Sequence, residues 1–94
     1  MLINELDFRQ TCGACPEQYD VYDMSNKQVG YVRLRWGHLT ADYSPRGKLV
    51  YEFSFEDGWL GSFPDESERA YHLGQIANAL TRQINIDNGV LNNG

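Results

Sequence analysis

Hydrophobic and polar residues alternate along residues 28–43, on both sides of a short Gly37-His38 step. A period of two is typical of strands that bury one side and expose the other. A two-residue loop at Gly37-His38 keeps the apolar side chains of both strands on one face. The predicted cross-strand pairs are Trp36 with Leu39, Leu34 with Ala41, and Val32 with Tyr43. The pattern therefore predicts a β-hairpin with Trp36 in the core.

The segment before this hairpin, residues 17–24, alternates in the same way and predicts a strand that pairs with it. With Asn26-Lys27 as the turn, the predicted pairs are Tyr19 with Leu34, Val21 with Val32, and Asp20 with Arg33. Arg33 would then lie between Asp20 and Asp42 in a row of alternating charge. Opposite charges on neighbouring strands contribute about 0.2–1 kcal/mol per pair, so this row would help to set the register.

Two further strands are predicted at the ends of the sheet. Residues 5–10 carry Leu6 and Phe8 on one side and predict a short edge strand. Residues 49–55 alternate again after a turn at residues 44–48. A loop of five residues aligns the apolar positions of the two strands. It pairs Tyr43 with Leu49, Ala41 with Tyr51, and Leu39 with Phe53.

A C-terminal helix is predicted to begin at Asp65, because Glu68 follows three residues later in a capping-box-like start. An apolar stripe with helical spacing follows, formed by Leu73, Ile76, Ala77, Leu80 and Ile84. Such a stripe packs on a core. It should cover the sheet face that bears Trp36, and it leaves His72 on or near the exposed side.

These elements predict an α+β fold, with an antiparallel meander sheet of four to five strands and one C-terminal helix packed on one face. Residues 1–84 would form a single domain. Residues 85–94 are rich in Asn and Gly and would form a flexible tail.

Composition narrows the classes of function. The chain has 94 residues and a net charge of −5, which disfavours direct binding to nucleic acid or to an anionic membrane. No apolar run reaches the roughly 20 residues that span a bilayer, and the N-terminus lacks the pattern of a signal peptide. We therefore expect a cytoplasmic protein that does not contact a membrane and whose cysteines are reduced.

Cys12 and Cys15 are the residues with the clearest potential chemistry. A Cys-x-x-Cys pair serves as a redox dithiol when its first thiolate caps a helix, but this pair precedes a predicted strand. A structural zinc site needs four ligands, and the nitrogen donors in the chain are His38 and His72. Two reduced cysteines in a tight loop, with no cofactor, is the favoured interpretation, and a zinc or redox site is the alternative.

No catalytic constellation is recognisable in the sequence. Gly58 and Gly61 flank Trp59 and Leu60 without the following Lys-Ser or Lys-Thr of a phosphate-binding loop. No pair of carboxylates is marked out for acid–base catalysis. We therefore expect a protein that is not an enzyme.

Two surfaces are candidates for binding a partner. The solvent-facing side of the sheet would carry Gln18, Tyr22, Met24, Tyr31, Arg33, Arg35 and Val50. Tyr, Met and Arg are enriched in interfaces. The second surface is an acidic loop with apolar anchors, where Asp57 and neighbouring acids surround Trp59 and Phe63. Both patterns also suit an ordinary solvated surface.

Residues 12–21, Cys-Gly-Ala-Cys-Pro-Glu-Gln-Tyr-Asp-Val, precede a second characteristic string at residues 28–35, Gln-Val-Gly-Tyr-Val-Arg-Leu-Arg. In these strings the chain resembles small uncharacterised proteins of bacteria and their phages, over about residues 12 to 55. Such proteins carry a further cysteine near the turn at residues 44–48, but this chain has none there, and its absence counts against a metal site. The resemblance implies an accessory protein of a mobile element and no particular mechanism.

The sequence as a whole predicts a non-enzymatic protein-binding accessory protein, such as a phage-encoded modulator of a host or defence protein. Its predicted partner-binding residues are Tyr22, Tyr31, Arg33, Arg35, Asp57 and Trp59. A module built on Cys12 and Cys15 is the alternative. Homodimerisation through an exposed strand edge is a third hypothesis.

Overall fold

The computed structural model describes residues 1–12, 16–44 and 47–89. Within these ranges the chain forms six strands followed by one helix. The strands are β1 (Leu2–Ile3), β2 (Leu6–Cys12), β3 (Glu17–Tyr22), β4 (Gln28–Arg35), β5 (His38–Tyr43) and β6 (Lys48–Ser54), and the helix is α1 (Glu66–Asp87).

The six strands form one antiparallel meander in the order β1-β2-β3-β4-β5-β6. The predicted α+β class, with a meander sheet and a C-terminal helix, is thereby confirmed. The predicted strand number of four to five is wrong, because β1 adds a sixth strand. It has two residues, too few for alternation to be detected in the sequence.

The helix packs on one side of the sheet, which we call the inner face, and leaves the other side, the outer face, uncovered. It contacts β1, β4, β5 and β6, so the sheet curves around it from one edge strand to the other. The core contains Leu6, Phe8, Tyr19, Val21, Val29, Val32, Leu34, Leu39, Ala41, Tyr43, Phe63, Leu73, Ile76, Ala77 and Leu80. Strand β4 approaches the helix closely at Gly30, where an added Cβ would lie 2.8 Å from Leu80 Cδ1.

The helix begins where the sequence predicts. The Asp65 carboxylate accepts a hydrogen bond of 2.8 Å from the Glu68 N–H, which satisfies one of the free donors of the first turn. The last residue of the predicted apolar stripe, Ile84, is partly buried, and the others are fully buried. The helix continues to Asp87, so residues 85–87 of the predicted tail are helical, and residues 90–94 lie outside the described residues.

The predicted register of the central hairpin is wrong by two residues. The observed pairs are Arg35 with His38, Leu34 with Leu39, Val32 with Ala41, and Gly30 with Tyr43. The turn is Trp36-Gly37, one residue earlier than predicted. A shift of two keeps each strand residue on its predicted face, but it moves Trp36 out of the strand and out of the core.

The β3–β4 register also differs by two residues. The observed pairs are Glu17 with Leu34, Gln18 with Arg33, Tyr19 with Val32, and Asp20 with Tyr31. The connection is longer than predicted, because Asp23 Oδ1 accepts from the N–H groups of Ser25 and Lys27 and closes a wider loop. Arg33 lies between Gln18 and Thr40, so the predicted Asp20–Arg33–Asp42 row does not exist.

The last hairpin follows the prediction at one end and departs from it at the other. Leu39 pairs with Phe53 and Ala41 with Tyr51, as predicted, but a bulge then pairs Asp42 with Leu49 and Tyr43 with Lys48. A bulge adds a residue to one strand and reverses the faces beyond it. Leu49 is consequently 48% exposed, and Val50 packs against the core instead of lying on the solvent-facing side.

Candidate functional site

The turn between β4 and β5 has left-handed backbone at both of its central residues. Trp36 has φ = 54° and Gly37 has φ = 69°, the sign expected of a type I′ turn, whose twist matches that of the flanking strands. Glycine adopts this conformation readily, whereas a tryptophan rarely does. A Cβ at Gly37 would also lie 2.4 Å from the Asp57 carbonyl oxygen. Glycine is therefore required here both by φ and by the close approach of the β6–α1 loop, residues 55–65.

The β6–α1 loop is held against this turn by backbone hydrogen bonds. The Gly37 N–H donates to the Leu60 carbonyl, and the Phe55 N–H donates to the Gly37 carbonyl, each at 2.8 Å. At the start of β3, the Glu17 N–H donates to the Gly61 carbonyl at 2.6 Å. These bonds attach the loop to β3 and to the β4–β5 turn.

A buried ion pair lies beneath the loop. Glu17 is only 1% exposed, and its carboxylate accepts from Arg69 Nε at 2.8 Å and from Arg69 Nη2 at 3.1 Å. The Phe63 N–H donates to Glu17 Oε1 at 3.0 Å, and the Tyr19 hydroxyl donates to Oε2. One carboxylate thus connects β3, the loop and α1.

The hydrogen bonds around Glu17 determine its charge. Burial raises the pKa of Glu17, but the bonds from Arg69, Tyr19 and the Phe63 N–H together hold this pKa below its ordinary value. The bond to Glu17 also raises the pKa of the Arg69 guanidinium. Within the described ranges, no buried polar side-chain atom lacks a hydrogen-bond partner. The cluster therefore supports the loop through satisfied hydrogen bonds.

Trp36 and Trp59 lie together on the surface above this support. Their ring centroids are 5.6 Å apart and their planes meet at 68°, an edge-to-face geometry that aromatic pairs favour. Trp36 is nevertheless 60% exposed and Trp59 80% exposed. The backbone N–H of Trp59 donates to Asp57 Oδ1 at 2.9 Å, and this bond orders the tip of the loop. The pair presents a large aromatic surface to solvent.

Arg33 and Arg35 project from the outer face of β4, next to the tryptophans. Arg33 lies opposite Gln18 and Thr40, and Arg35 lies opposite His38. None of these neighbours is acidic. Both arginines are exposed, and no carboxylate lies directly opposite either of them in the paired strands.

Two shallow depressions connect these side chains. The first is lined by Arg33, Arg35, Trp36, His38 and Thr40. The second is lined by Pro16, Arg35, Trp36, Trp59 and Gly61. Because Arg35 and Trp36 line both, the depressions form one continuous surface. We call it the tryptophan–arginine surface and define it by Pro16, Arg33, Arg35, Trp36, His38 and Trp59.

The structure brings together part of the predicted partner-binding set. Four of the predicted residues lie on or beside the surface: Arg33, Arg35, Asp57 and Trp59. Tyr31 borders it, two residues before Arg33 on the same face of β4. Tyr22 is remote, at the other end of β3, where the Arg9 guanidinium lies 3.9 Å from its ring centroid.

Trp36 is the site residue that sequence reasoning misplaced. Its position in the alternating run put it with the core residues, but the chain turns at Trp36-Gly37, and only residues inside a strand follow the alternation. The Trp-Gly dipeptide at the end of the run was the available signal, because glycine commonly marks a tight turn.

The cysteine pair acquires no further ligand from the described residues. Cys12 ends β2, pairs with Gln18 and is partly exposed, while Cys15 lies outside the described ranges. His38 is on β5, three strand spacings or about 14 Å away, and His72 lies on the inner side of the sheet. In residues 1–12, 16–44 and 47–89, no cluster of three or more His, Cys, Asp or Glu could hold a metal ion.

His72 is buried, contrary to the predicted position on the exposed side. It is 1% exposed, and its Nδ1 lies 2.8 Å from the Tyr51 hydroxyl. Its ring stacks on Phe63 with centroids 5.9 Å apart and contacts Phe53 at 4.5 Å. His72 precedes Ile76 by four residues and so lies on the buried face of the helix beside Leu73, where it widens the apolar stripe. It is a core residue of an aromatic cluster.

Comparison of the chain with protein-family models, with curated proteins and with solved structures finds no match in any of the three. Within the described ranges, no helix has both the length and the apolar character needed to cross a bilayer.

Proposed function

We propose that this chain is a non-enzymatic protein-binding accessory protein whose partner docks on the tryptophan–arginine surface. The observation that carries the proposal is the exposed edge-to-face pair of Trp36 and Trp59 beside Arg35. Tryptophan and arginine are the residue types that most often dominate the binding energy of protein interfaces. The resemblance to bacterial and phage proteins supports a host or defence protein as the partner.

The hydrogen bonds that anchor the β6–α1 loop support the proposal. Association is weakened by the entropy lost when loops become ordered, and a loop that is ordered beforehand avoids much of that cost. The backbone bonds from Gly37 and Glu17 hold the β6–α1 loop in place, and the Glu17–Arg69 ion pair lies directly beneath it. Trp59 is therefore presented by an anchored loop although its side chain is mostly in solvent.

The backbone at Trp36 is a second supporting observation. A left-handed residue other than glycine costs roughly 1–2 kcal/mol, with Asn and Asp penalised least, and two-residue hairpin turns of this kind favour Asn-Gly. Tryptophan at this position has φ = 54° and lies in solvent. Backbone strain of this kind is concentrated at functional sites, and binding would explain why an indole occupies the turn.

The test is quantitative capture of a protein partner by the immobilised chain. Bacterial lysate is applied to the wild-type chain, and retained proteins are identified by mass spectrometry. Capture is then repeated with Trp59→Ala and with Arg35→Ala. We expect either substitution to remove the specifically retained protein while the far-ultraviolet circular dichroism spectrum and the unfolding midpoint stay unchanged.

Two matched controls separate a specific interface from general stickiness. Met24→Ala removes another exposed large apolar side chain, and Arg82→Gln removes another exposed arginine, both away from the surface. These variants should capture the partner like the wild type. Retention of the partner by Trp59→Ala and Arg35→Ala would contradict the proposal.

A further inference from the structure

Arg33 and Arg35, the two arginines of the tryptophan–arginine surface, differ from two other arginines of the chain in having no ion pair, whereas the neighbouring His38 lies 2.8 Å from Glu52 Oε2. Arg9 pairs with Asp7 at 2.9 Å, and Arg69 pairs with Glu17 at 2.8 Å. Within the described ranges, neither Arg33 nor Arg35 has an ion pair or a side-chain hydrogen bond. Two adjacent guanidiniums without carboxylates are an unexpected feature in a chain of net charge −5.

The two guanidiniums and the aromatic depression lie in a linear order. Arg33 and Arg35 are alternate residues of one strand on one face, which spaces their Cα atoms by about 6.6–6.8 Å. The chain then reaches Trp36, and the depression lined by Pro16, Trp36 and Trp59 begins at Arg35. Along the surface, Arg33 is thus followed by Arg35 and then by the aromatic depression.

An extended peptide repeats its side chains with the same spacing. Residues i, i+2 and i+4 of such a peptide point to one side at intervals of about 6.6–6.8 Å. Carboxylates are the groups that arginine binds in bidentate fashion, and an apolar side chain suits the depression that Pro16 and the two indole rings line. We propose that the surface recognises an extended acidic segment of the partner protein with the pattern acidic–x–acidic–x–apolar, in either chain direction. This inference rests on the proposed function and specifies the chemistry of the partner.

A single-stranded nucleic acid is the other ligand that combines negative charge with stacking surfaces. Its backbone would extend beyond the two arginines, because such proteins follow several successive phosphates along a basic groove. Beyond the arginines, however, the surface is bordered by the carboxylates of Asp20, Asp42 and Glu52 on the outer face. A short segment with two carboxylates matches the limited basic area, so the acidic peptide is favoured.

The first experiment is a selection of random twelve-residue peptides displayed on phage against the immobilised full chain. We expect enrichment of peptides with two acidic residues separated by one position and an apolar residue two positions away. The same selection on the Arg33→Gln, Arg35→Gln double variant should lose the acidic preference, and selection on Trp59→Ala should lose the apolar preference. Arg82→Gln is the matched control and should reproduce the wild-type selection.

The second experiment measures affinity with the selected peptide synthesised in soluble form. The chain contains two tryptophans, Trp36 and Trp59, both on the surface, so the intrinsic fluorescence reports on this site. Replacing both acidic residues of the peptide by glutamine should weaken binding about tenfold or more, because two charge-assisted hydrogen-bonded contacts are lost. The double arginine variant should bind the acidic and the glutamine peptides equally.

Several results would overturn the inference. Enrichment of neutral or basic peptides, absence of any enriched pattern, or equal affinity for the acidic and glutamine peptides would each do so. Tighter binding of a twelve-nucleotide oligothymidylate than of the acidic peptide would assign the surface to single-stranded nucleic acid instead. If Trp59-dependent protein capture persists in any of these cases, the proposed function stands and only the acidic motif is wrong. If capture is independent of Trp59, the proposed function itself fails.

Discussion

The guanidinium of Arg69 holds the buried carboxylate of Glu17 through two hydrogen bonds, across 52 residues of sequence. This contact joins the first turn of α1 to the start of β3 beneath the loop that carries Trp59. Arg69 is partly buried and Glu17 is fully buried, and together they support the loop that carries the exposed Trp59. The stability of the fold and the geometry of the tryptophan–arginine surface therefore depend on the same pair.

Removing Arg69 should strongly destabilise the protein. Arg69→Met leaves Glu17 buried without its cation, and breaking a buried pair in this way costs about 3–5 kcal/mol. The free energy of unfolding, measured with urea at pH 7, should fall by an amount in this range. Without Arg69, burial would raise the pKa of Glu17. The difference in the free energy of unfolding between variant and wild type should therefore narrow as the pH falls. A gap that stays constant between pH 7 and pH 4 would contradict this account of the pair.

Glu17 should make the stability of the wild type sensitive to acid. Its pKa is lower in the folded state than in the unfolded chain, so its stabilising contribution is complete above the ordinary glutamate pKa of about 4.3. The contribution is lost as the pH falls through the folded-state value, because the unfolded chain takes up the proton first. The measurement is the free energy of unfolding in steps from pH 7 to pH 3. Glu17→Gln should lose less stability over this range than the wild type, and equal losses would exclude Glu17 as the cause.

Trp36→Asn and Trp36→Ala should differ in stability although both remove the indole. Asparagine adopts the left-handed backbone more easily than alanine does, so the Asn variant should be more stable by about 1 kcal/mol. Urea unfolding followed by circular dichroism compares the two variants directly. Neither should capture the partner. Equal stability of the two variants would show that the backbone at Trp36 is not strained.

Gly37→Ala should destabilise the fold by about 2 kcal/mol or more. The added Cβ would lie 2.4 Å from the Asp57 carbonyl oxygen, at a residue with φ = 69°. The change should also reduce partner capture, because it pushes the Trp59 loop away from the turn. Gly58→Ala is the control in the same loop, since a Cβ there meets nothing within 4 Å. A Gly37→Ala protein as stable as Gly58→Ala would be inconsistent with the observed close approach.

His72→Ala should cost about 3 kcal/mol, because it removes a fully buried ring from an aromatic cluster and leaves a cavity. The adjacent Tyr71→Ala is the matched control, since Tyr71 is 59% exposed and should cost less than about 1 kcal/mol. Thermal unfolding of both variants distinguishes the buried position from the exposed one. Similar midpoints for the two variants would indicate that His72 does not pack as described.

Which residues of the central hairpin face the core was predictable, because successive residues of a strand point to opposite faces. Val32, Leu34, Leu39 and Ala41 occupy the predicted buried face although the register differs by two residues. The start of the helix was predictable for a similar reason, since the Asp65 cap and the apolar stripe are local patterns. The length of a turn is not encoded by alternation. The two-residue register errors in the β3–β4 and β4–β5 hairpins therefore arise at turns and remove the predicted charge row around Arg33, whereas the departure in the β5–β6 hairpin arises at a bulge.

The candidate site was predictable only in part. Residue type points to Arg33, Arg35, Asp57 and Trp59, whereas the alternation puts Trp36 in the core; Tyr22 is on the predicted side of the sheet but at the far end from the tryptophan–arginine surface. Glu17 gave no sign of burial, since its partner Arg69 lies in a distant element. Contacts between residues far apart in sequence depend on how elements pack, and no local periodicity contains that information.

Alternation and capping act over a few residues, so the class of fold, the inner and outer faces of the central strands and the N-terminus of the helix follow from local sequence patterns. The solvent exposure of Trp36, its contact with Trp59 and the two arginines beside them without ion pairs follow from long-range packing. Turn geometry and the buried Glu17–Arg69 pair bring the β6–α1 loop to the end of the central hairpin, and no local pattern contains that contact. The candidate binding surface arises where these long-range contacts meet.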